Sequence, residues 1–292
     1  MERIDAPRTA LDSAELSARY DLASAPQLTH GRDLVALLAI HPGERVLDVG
    51  CGTGRLAAVA ADGVGLQGRV IGIDPAPTRI ELAQRRGDAR LEFRVGQAED
   101  LSAFGDESFE VVYMNSVLNS LSDRLSAIAE VRRVLTPGGR FGIATTVRDR
   151  PNELRRITLL ALRMAFAEAE PDAIGGFADP TTEREPERRV ASDEVRSLLR
   201  AAGFAIRVLE LRTYLAFFTH VAQVVEFLRT TTYDEFYGNL TPSDLERFTA
   251  ALERVVIEQV PESRRANGIR LERYILLGVA NKPATLPAGL DP

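Results

Sequence analysis

The sequence predicts an α/β fold: a doubly wound, mostly parallel sheet of seven strands with helices on both faces, an N-terminal helical cap and a helical lid inserted late. Two observations predict the sheet. Short apolar runs alternate with helical stretches from Arg45 to Thr145, the pattern of a parallel sheet covered on both faces. The first run ends in an acid and three glycines at every second position, Asp48-Val49-Gly50-Cys51-Gly52-Thr53-Gly54, and then enters Arg55-Leu56-Ala57-Ala58, rich in helix formers. That is a strand, a glycine turn and a helix. Backbone there can take positive φ or approach a ligand closely, and the helix N-terminus behind it presents free N–H groups.

The remaining elements follow from local chemistry. Residues 12 to 40 read as helical, broken near Pro26, with Leu34, Val35, Leu37, Leu38 and Ile40 forming an apolar face. His41-Pro42-Gly43-Glu44 stops that helix, and Arg45 to Val49 is the first strand. Arg69 to Asp74 is the second strand, broken by Pro75-Ala76-Pro77, with a helix from Thr78 to Arg86. Leu91 to Val95 is the third and Phe109 to Met114 the fourth. A helix from Ser122 to Leu135 ends at Thr136-Pro137-Gly138-Gly139, and Arg140 to Thr145 is the fifth strand. Pro151 to Glu168 is helical, 170 to 190 a mobile loop, and Ser192 caps a helix that stops at Gly203. Phe204 to Leu211 is the sixth strand and Arg273 to Ala280 the last. Residues 217 to 260 are helical, with a start at Thr241-Pro242-Ser243-Asp244. The expected organisation is one domain over 1–281, with a cap at 10–41, a core at 42–146, insertions at 147–190 and 214–268, and a disordered tail at 282–292.

Composition narrows the function. Hydrophobic residues make up 45% and charged residues 27%, as in ordinary globular proteins. No apolar run approaches the ~20 residues of a membrane span. Met1-Glu2-Arg3-Ile4-Asp5 lacks the apolar centre of a secretory signal. Cys51 is the single cysteine, so no internal disulfide and no cysteine-rich metal site is expected. A cytoplasmic protein is the expectation. The net charge is −6 without a basic run, which argues against a nucleic-acid partner.

Two ligand classes compete for the glycine turn. A dinucleotide turn carries Gly-x-Gly-x-x-Gly. Here Gly50 and Gly52 fit, but Arg55 stands at the third position and the glycine comes one residue early, at Gly54. The acid at Asp48 would repel a pyrophosphate and suits an ammonium group. The segment Asp48 to Gly54 closely resembles the first motif of class I S-adenosylmethionine-dependent methyltransferases. Asp74 at the end of the second strand, Gly96-Gln97-Ala98-Glu99-Asp100-Leu101, Phe109-Glu110-Val111-Val112-Tyr113 and Leu135-Thr136-Pro137-Gly138-Gly139-Arg140 resemble that family's later landmarks, in order. The resemblance covers residues 42 to 145 and implies a Rossmann-like sheet and S-adenosylmethionine as cofactor, with S-adenosylhomocysteine as product. It implies that Asp74 holds the ribose hydroxyls and that Asp48 partners the methionine ammonium. It also implies cofactor contacts from Gly50, Cys51, Gly52, Gly54, Pro75, Arg79, Gln97, Ala98, Glu99, Asn115 and Ser116. Gln97 departs from the aspartate often found at the adenine, though its carbonyl can accept the same bond.

The acceptor is less legible. Relatives often carry a histidine pair after the fourth strand, where this chain has Asn115-Ser116-Val117-Leu118-Asn119-Ser120. The Asn/Asp-Pro-Pro-aromatic motif of enzymes that methylate amide or base nitrogens is absent too. His30 in the cap, His220 at the start of the late insertion and Tyr20 in the cap are the candidate catalytic residues. A lone histidine is also a common structural residue, and Cys51 reads as a small filler without an activating base. The aromatics Tyr214, Phe217, Phe218, Phe227, Tyr233, Phe236 and Tyr237 form either a helical core or an apolar lid over a hydrophobic or aromatic acceptor. The resemblance is closest to small-molecule enzymes of the ubiquinone/menaquinone and natural-product type. The expected reaction is metal-independent, in-line methyl transfer, with a homodimer as an allowed assembly. The competing expectation is a protein of this fold that binds the cofactor but catalyses another reaction or serves as a binding partner.

Overall fold

The computed structural model describes residues 14–166, 189–231 and 240–284, which fall into two compact units. One unit holds the described parts of 27–149, 189–212 and 275–284, and it contains most of the sheet. In chain order its elements are α2 (Ala25–Leu38), β1 (Arg45–Val49), α3 (Arg55–Val64), β2 (Arg69–Asp74), α4 (Pro77–Gln84), β3 (Leu91–Val95), β4 (Phe109–Asn115), α5 (Arg124–Val134), β5 (Leu135–Thr146) and α7 (Ser192–Ala201). The long strands β6 (Ala205–Phe218) and β7 (Ile269–Asn281) begin or end in it. The strand order is β3-β2-β1-β4-β5-β7-β6. β1 pairs parallel with β2 and β4, β2 with β3 and β4 with β5, while β7 runs antiparallel to β5.

Alternation along the strands decides which helix covers which face. Leu47, Val49, Val112, Met114 and Ile143 share a core with Ile128, Val131 and Val134 of α5 and Val195 and Leu199 of α7. The opposite face carries Asp48, Gly72 and Tyr113 in register. Gly142 lies on that face too, where Leu38 of α2 comes so close that an added Cβ would sit 2.8 Å from its Cδ1. The order reverses between β1 and β4, so the crevice of an open α/β sheet lies beyond the carboxyl ends of these two strands.

The second unit holds the described parts of 14–26, 150–166, 213–231 and 240–274. It contains α1 (Ala14–Ala23), α6 (Glu153–Ala165), α8 (Val221–Thr231) and α9 (Pro242–Gln259). Ile157, Ala161 and Leu162 of α6, Val224, Phe227 and Leu228 of α8 and Phe248, Leu252, Val255 and Val256 of α9 bury against one another as a core of their own. The Phe218 and Phe227 rings meet edge to face at 5.5 Å. Glu153 begins α6 and accepts both guanidinium nitrogens of Arg264, at 2.7 and 2.9 Å, and the Glu272 N–H at 2.7 Å.

Several element ends differ from the sequence expectation. The cap breaks at Ser24, and Pro26 stands in the first turn of α2, where its missing N–H costs nothing. α5 starts at Arg124 because the Asp123 carboxylate, not Ser122, accepts the Ser126 N–H. Ala191 precedes α7 and Ser192 is its first residue. β5 begins at Leu135, so the Thr136–Gly139 turn is an irregularity within the strand, with Gly138 at φ 80° and a register shift opposite Phe109 and Val111. β6 extends past Leu211 to Phe218, and β7 begins before Arg273 at Ile269. Of the expected loop at 170–190 and tail at 282–292, residues 170–188 and 285–292 lie outside the described residues, as do Tyr233, Phe236 and Tyr237, whereas Lys282 is not tail: its N–H donates to the Gly139 carbonyl at 2.9 Å and its carbonyl accepts the Gly138 N–H at 2.8 Å. Among the described residues no helix is long and apolar enough to cross a membrane.

Candidate functional site

The three glycines behave as their spacing requires. Gly50, Gly52 and Gly54 have φ of 75°, 55° and 76°, the left-handed region that other residues enter only with strain. Space adds a second reason at two of them. A Cβ at Gly50 would fall 2.3 Å from Val117 Cγ2, and one at Gly54 would fall 2.5 Å from Phe93 Cζ. The turn is pinned to the neighbouring strand, since the Gly50 and Cys51 N–H groups both donate to the Ile73 carbonyl at 2.8 Å.

Asp74 closes the turn from the end of β2. Its Oδ2 accepts the Gly52 N–H at 2.9 Å and its Oδ1 accepts the Ala76 N–H at 3.0 Å. Each carboxylate oxygen keeps a further lone-pair direction, enough for a vicinal diol. Pro75 is exposed beside it. Arg79 is buried in the first turns of α4, near enough to Cys51 for its charge to act on the thiol. Burial nevertheless pushes the Cys51 thiol well up, with the Asp48 and Asp74 charges adding, which disfavours the thiolate that a nucleophile needs.

Asp48 is wholly buried beneath the turn. Its register partner on β4 is Tyr113, whose hydroxyl donates to Asp48 Oδ2 at 2.8 Å. Burial raises the Asp48 carboxyl to about 7, the Tyr113 bond pulls it down and the Asp74 charge pushes it up again. Burial likewise pushes the Tyr113 phenol well up.

Beyond β3, Gln97 is exposed and Ala98 buried, and the Asp100 N–H donates to the Gln97 carbonyl at 3.3 Å. Glu99 turns to Ser122, accepting its N–H at 3.1 Å and its hydroxyl at 3.0 Å.

The end of β4 completes the crevice. Asn115 Nδ2 donates to the Gln27 carbonyl at 3.1 Å. A Cβ on Gly31 would stand 2.9 Å from Asn115 Nδ2, so the glycine in α2 permits this approach. Asn115 Oδ1 and Gln27 Oε1 are buried, and neither has a hydrogen-bond partner among the described residues. Ser116 has φ 64° and donates its N–H to the Ala144 carbonyl at 2.8 Å. A non-glycine residue held there at a sheet switch point is strain of the kind that gathers at functional sites. Its hydroxyl lies 3.0 Å from Nε2 of His30, which is fully buried.

The structure thus brings together Asp48, the glycine turn, Cys51, Asp74, Arg79, Asn115, Ser116 and His30. Tyr20 and His220 belong to the helical unit. Tyr20 is half-buried and its carbonyl accepts the Ser24 N–H, while His220 is exposed at the turn into α8. An open cleft of about 360 Å³ in that unit is lined by Pro151, Asn152, Glu153, Arg156, Glu272 and Tyr274, none of them a candidate site residue. Sequence reasoning missed Gln27 and the Tyr113 hydroxyl. The signal for Tyr113 was a polar group in the fourth strand, opposite the acid of the first; Gln27, one residue after Pro26, carried no signal.

Comparison with known proteins agrees with this geometry. The sequence profile of a family described as a methyltransferase domain matches residues 40–203. An arsenite methyltransferase of Halobacterium salinarum is 37% identical over 143 residues, which cover 45% of this chain and 36% of that protein. A demethylmenaquinone methyltransferase of Thermus thermophilus is 30% identical over 222 residues, 71% of this chain and 97% of that protein. The chain spans less than half the length of several curated relatives, among them the arsenite enzyme at 36% and the Symbiobacterium thermophilum demethylmenaquinone methyltransferase at 45%. In fold the chain is similar to the YcgJ protein of Bacillus subtilis, with a TM-score of 0.56 at 18% identity over 88% of this chain and 100% of that one. It is also similar to the [4+2]-cyclase SpnF, with a TM-score of 0.53 at 24% identity over 87% and 81%. With the profile spanning more than half its length and the glycine turn in place, this chain belongs to the class I S-adenosylmethionine-dependent methyltransferases.

Proposed function

We propose that this protein transfers the methyl group of S-adenosylmethionine to a small-molecule acceptor of hydrophobic or aromatic character, in the cytoplasm and without a metal. The residues present fit the cofactor. The glycine turn has no side chains on its three glycines to keep a ligand from the backbone, Asp74 suits the ribose hydroxyls, and the orphan acceptors Asn115 Oδ1 and Gln27 Oε1 suit an ammonium group. Asp48 adds negative charge below the turn once ionised. When bound, the sulfonium supplies an activated methyl group, so an acceptor needs only an aligned nucleophile.

The chain's own part is alignment, exclusion of water and proton handling. His30 Nε2 and Ser116 Oγ form the pair assigned to the proton: as the methyl group is transferred, the acceptor's proton passes to Ser116 Oγ while the Ser116 hydroxyl proton passes to His30 Nε2, leaving an imidazolium. Tyr20 and His220 remain assigned to the acceptor side, in the helical unit. Residues 147–190 and 214–268 are assigned to the acceptor pocket. The nearby relatives named for arsenite and demethylmenaquinone support a small acceptor, and the lack of a basic run argues against a nucleic acid.

The observation that carries the proposal is the joining of Asp74 Oδ2 to the Gly52 N–H within a turn of three left-handed glycines. Methyl-labelled S-adenosylmethionine incubated with a panel of quinols, phenols, thiols and amines tests it. Label in one acceptor class, with equimolar S-adenosylhomocysteine, is the expected result. Tight cofactor binding without S-adenosylhomocysteine release across the panel would instead favour a non-methylating reaction on this fold, such as the one for which SpnF is named.

A further inference from the structure

Asp48 and Tyr113 are the only side chains in their row of the sheet. The register across β2, β1, β4 and β5 sets Gly72, Asp48, Tyr113 and Gly142 side by side on one face. Both flanking residues are glycines, and neighbouring side chains fill the space beside them. A Cβ at Gly72 would meet Phe93 Cδ1 at 2.7 Å and Cys51 Cβ at 2.9 Å, and one at Gly142 would meet Leu38 Cδ1 at 2.8 Å. The carboxyl and the phenol are thereby closed in from both sides, with Asp48 1% and Tyr113 0% exposed.

An acid ahead of a turn ordinarily accepts backbone N–H groups two residues on. This turn leaves it none of them. The Gly50 and Cys51 N–H groups donate to the Ile73 carbonyl, the Gly52 N–H to Asp74 and the Gly54 N–H to the Cys51 carbonyl. Asp48 makes no ion pair among the described residues, and the Tyr113 hydroxyl at 2.8 Å is the bond that favours its ionised form. The other ionisable groups about the turn do not replace a cation. Asp74 at the end of β2 opposes a second anion, Arg79 in α4 acts on the Cys51 thiol, Arg55 is half-buried at the head of α3, and His30 in α2 meets Ser116. A buried carboxyl with one neutral donor and no cation gives up its proton when a cation arrives.

We propose that Tyr113 is a positioning residue: its hydroxyl holds Asp48 as an anion beneath the glycine turn, where the carboxylate attracts the ammonium of the bound cofactor's methionine end. The proposal rests on the S-adenosylmethionine reading above. In the free protein burial raises the Asp48 carboxyl to about 7, so near neutral pH it is divided between acid and anion. Cofactor binding then sends the Asp48 proton to solvent in the fraction of chains that hold it, and affinity rises with pH up to that point.

Calorimetric titration of the full-length protein from pH 6 to pH 8 tests this. The ligands are S-adenosylhomocysteine, which has the ammonium, and methylthioadenosine, which keeps the adenosine and thioether without it. The proteins are wild type, Tyr113→Phe, Asp48→Asn and the double variant. Wild-type affinity for S-adenosylhomocysteine should rise roughly tenfold across the range. Tyr113→Phe should bind it about tenfold more weakly than wild type at pH 6 and only about twofold more weakly at pH 8, since losing the bond moves the rise to higher pH. Methylthioadenosine should bind wild type and Tyr113→Phe equally at every pH, and Tyr113→Phe should change nothing in the Asp48→Asn background. Wild type alone, titrated at pH 6.5 in buffers of different ionisation heat, should release about 0.7 proton per S-adenosylhomocysteine bound. A loss in Tyr113→Phe that is constant with pH, an equal loss for methylthioadenosine, or no proton release by wild type would overturn the proposal and leave the cofactor reading standing. Failure of wild type to bind S-adenosylhomocysteine at any pH would overturn both.

Discussion

Asp74 and Asp48 show how position assigns two chemistries to one side chain. Asp74 ends its strand with both oxygens on backbone N–H groups, so its place is fixed before any ligand arrives. Asp74→Ala removes charge-assisted acceptors and is expected to weaken S-adenosylhomocysteine binding by about 1–3 kcal/mol, roughly 5- to 150-fold in Kd. Calorimetry on the variant checks this, and unchanged affinity would remove the residue from the site. Asp48 sits one strand in, buried against Tyr113. Its carboxyl has an ordinary value of 3.8 and is raised to about 7 in the folded chain. The folded state therefore holds a proton that the unfolded state releases, and this contribution to stability is present below pH 3.8 and lost as pH rises toward 7. The neutral variant Asp48→Asn escapes that loss. Its melting temperature relative to wild type should be higher at pH 8 than at pH 5, and parallel melting-temperature curves would contradict the burial argument.

At the scale of elements, the glycine turn and the strand after it act as one piece. Gly50→Ala places a methyl group against Val117 in a left-handed backbone and is expected to cost about 1–3 kcal/mol of stability. Val117→Ala in the same chain should recover the packing share of that cost but not the backbone share, which denaturant titration of the double mutant separates. In the helical unit, Glu153→Gln leaves Arg264 only the more distant Glu272 carboxylate, at 3.7 Å, and should destabilise by about 1–2 kcal/mol, as a partly buried pair weakened on one side. The strands β1, β2 and β3 were legible to the residue, because each is a short apolar run closed by glycine, proline or an acid. The far ends of β6 and β7 were not. Thr213 to Phe218 and Ile269 to Glu272 mix aromatic, charged and aliphatic residues without clean alternation, and nothing local marks them as strand. In the site, the glycines, Asp74 and the end of β4 could be read from their order. Gln27 could not, since its role arises from α2 meeting a residue far away in sequence.

For the whole molecule, the family profile and the helical unit divide the labour. The profile ends at residue 203, and the described helical unit draws most of its residues from beyond that point. The part shared with relatives holds the turn, Asp74 and the switch point between β1 and β4. The part built from its own core, around Phe218, Phe227 and Phe248, is the one proposed above for the acceptor. The central claim is that the turn from Gly50 to Gly54 is a site for S-adenosylmethionine and not for a dinucleotide. Calorimetric titration of the full chain with S-adenosylhomocysteine, and separately with NAD, tests it most directly. One site per chain for S-adenosylhomocysteine and no heat from NAD is the predicted result; saturable NAD binding with no response to S-adenosylhomocysteine would contradict it.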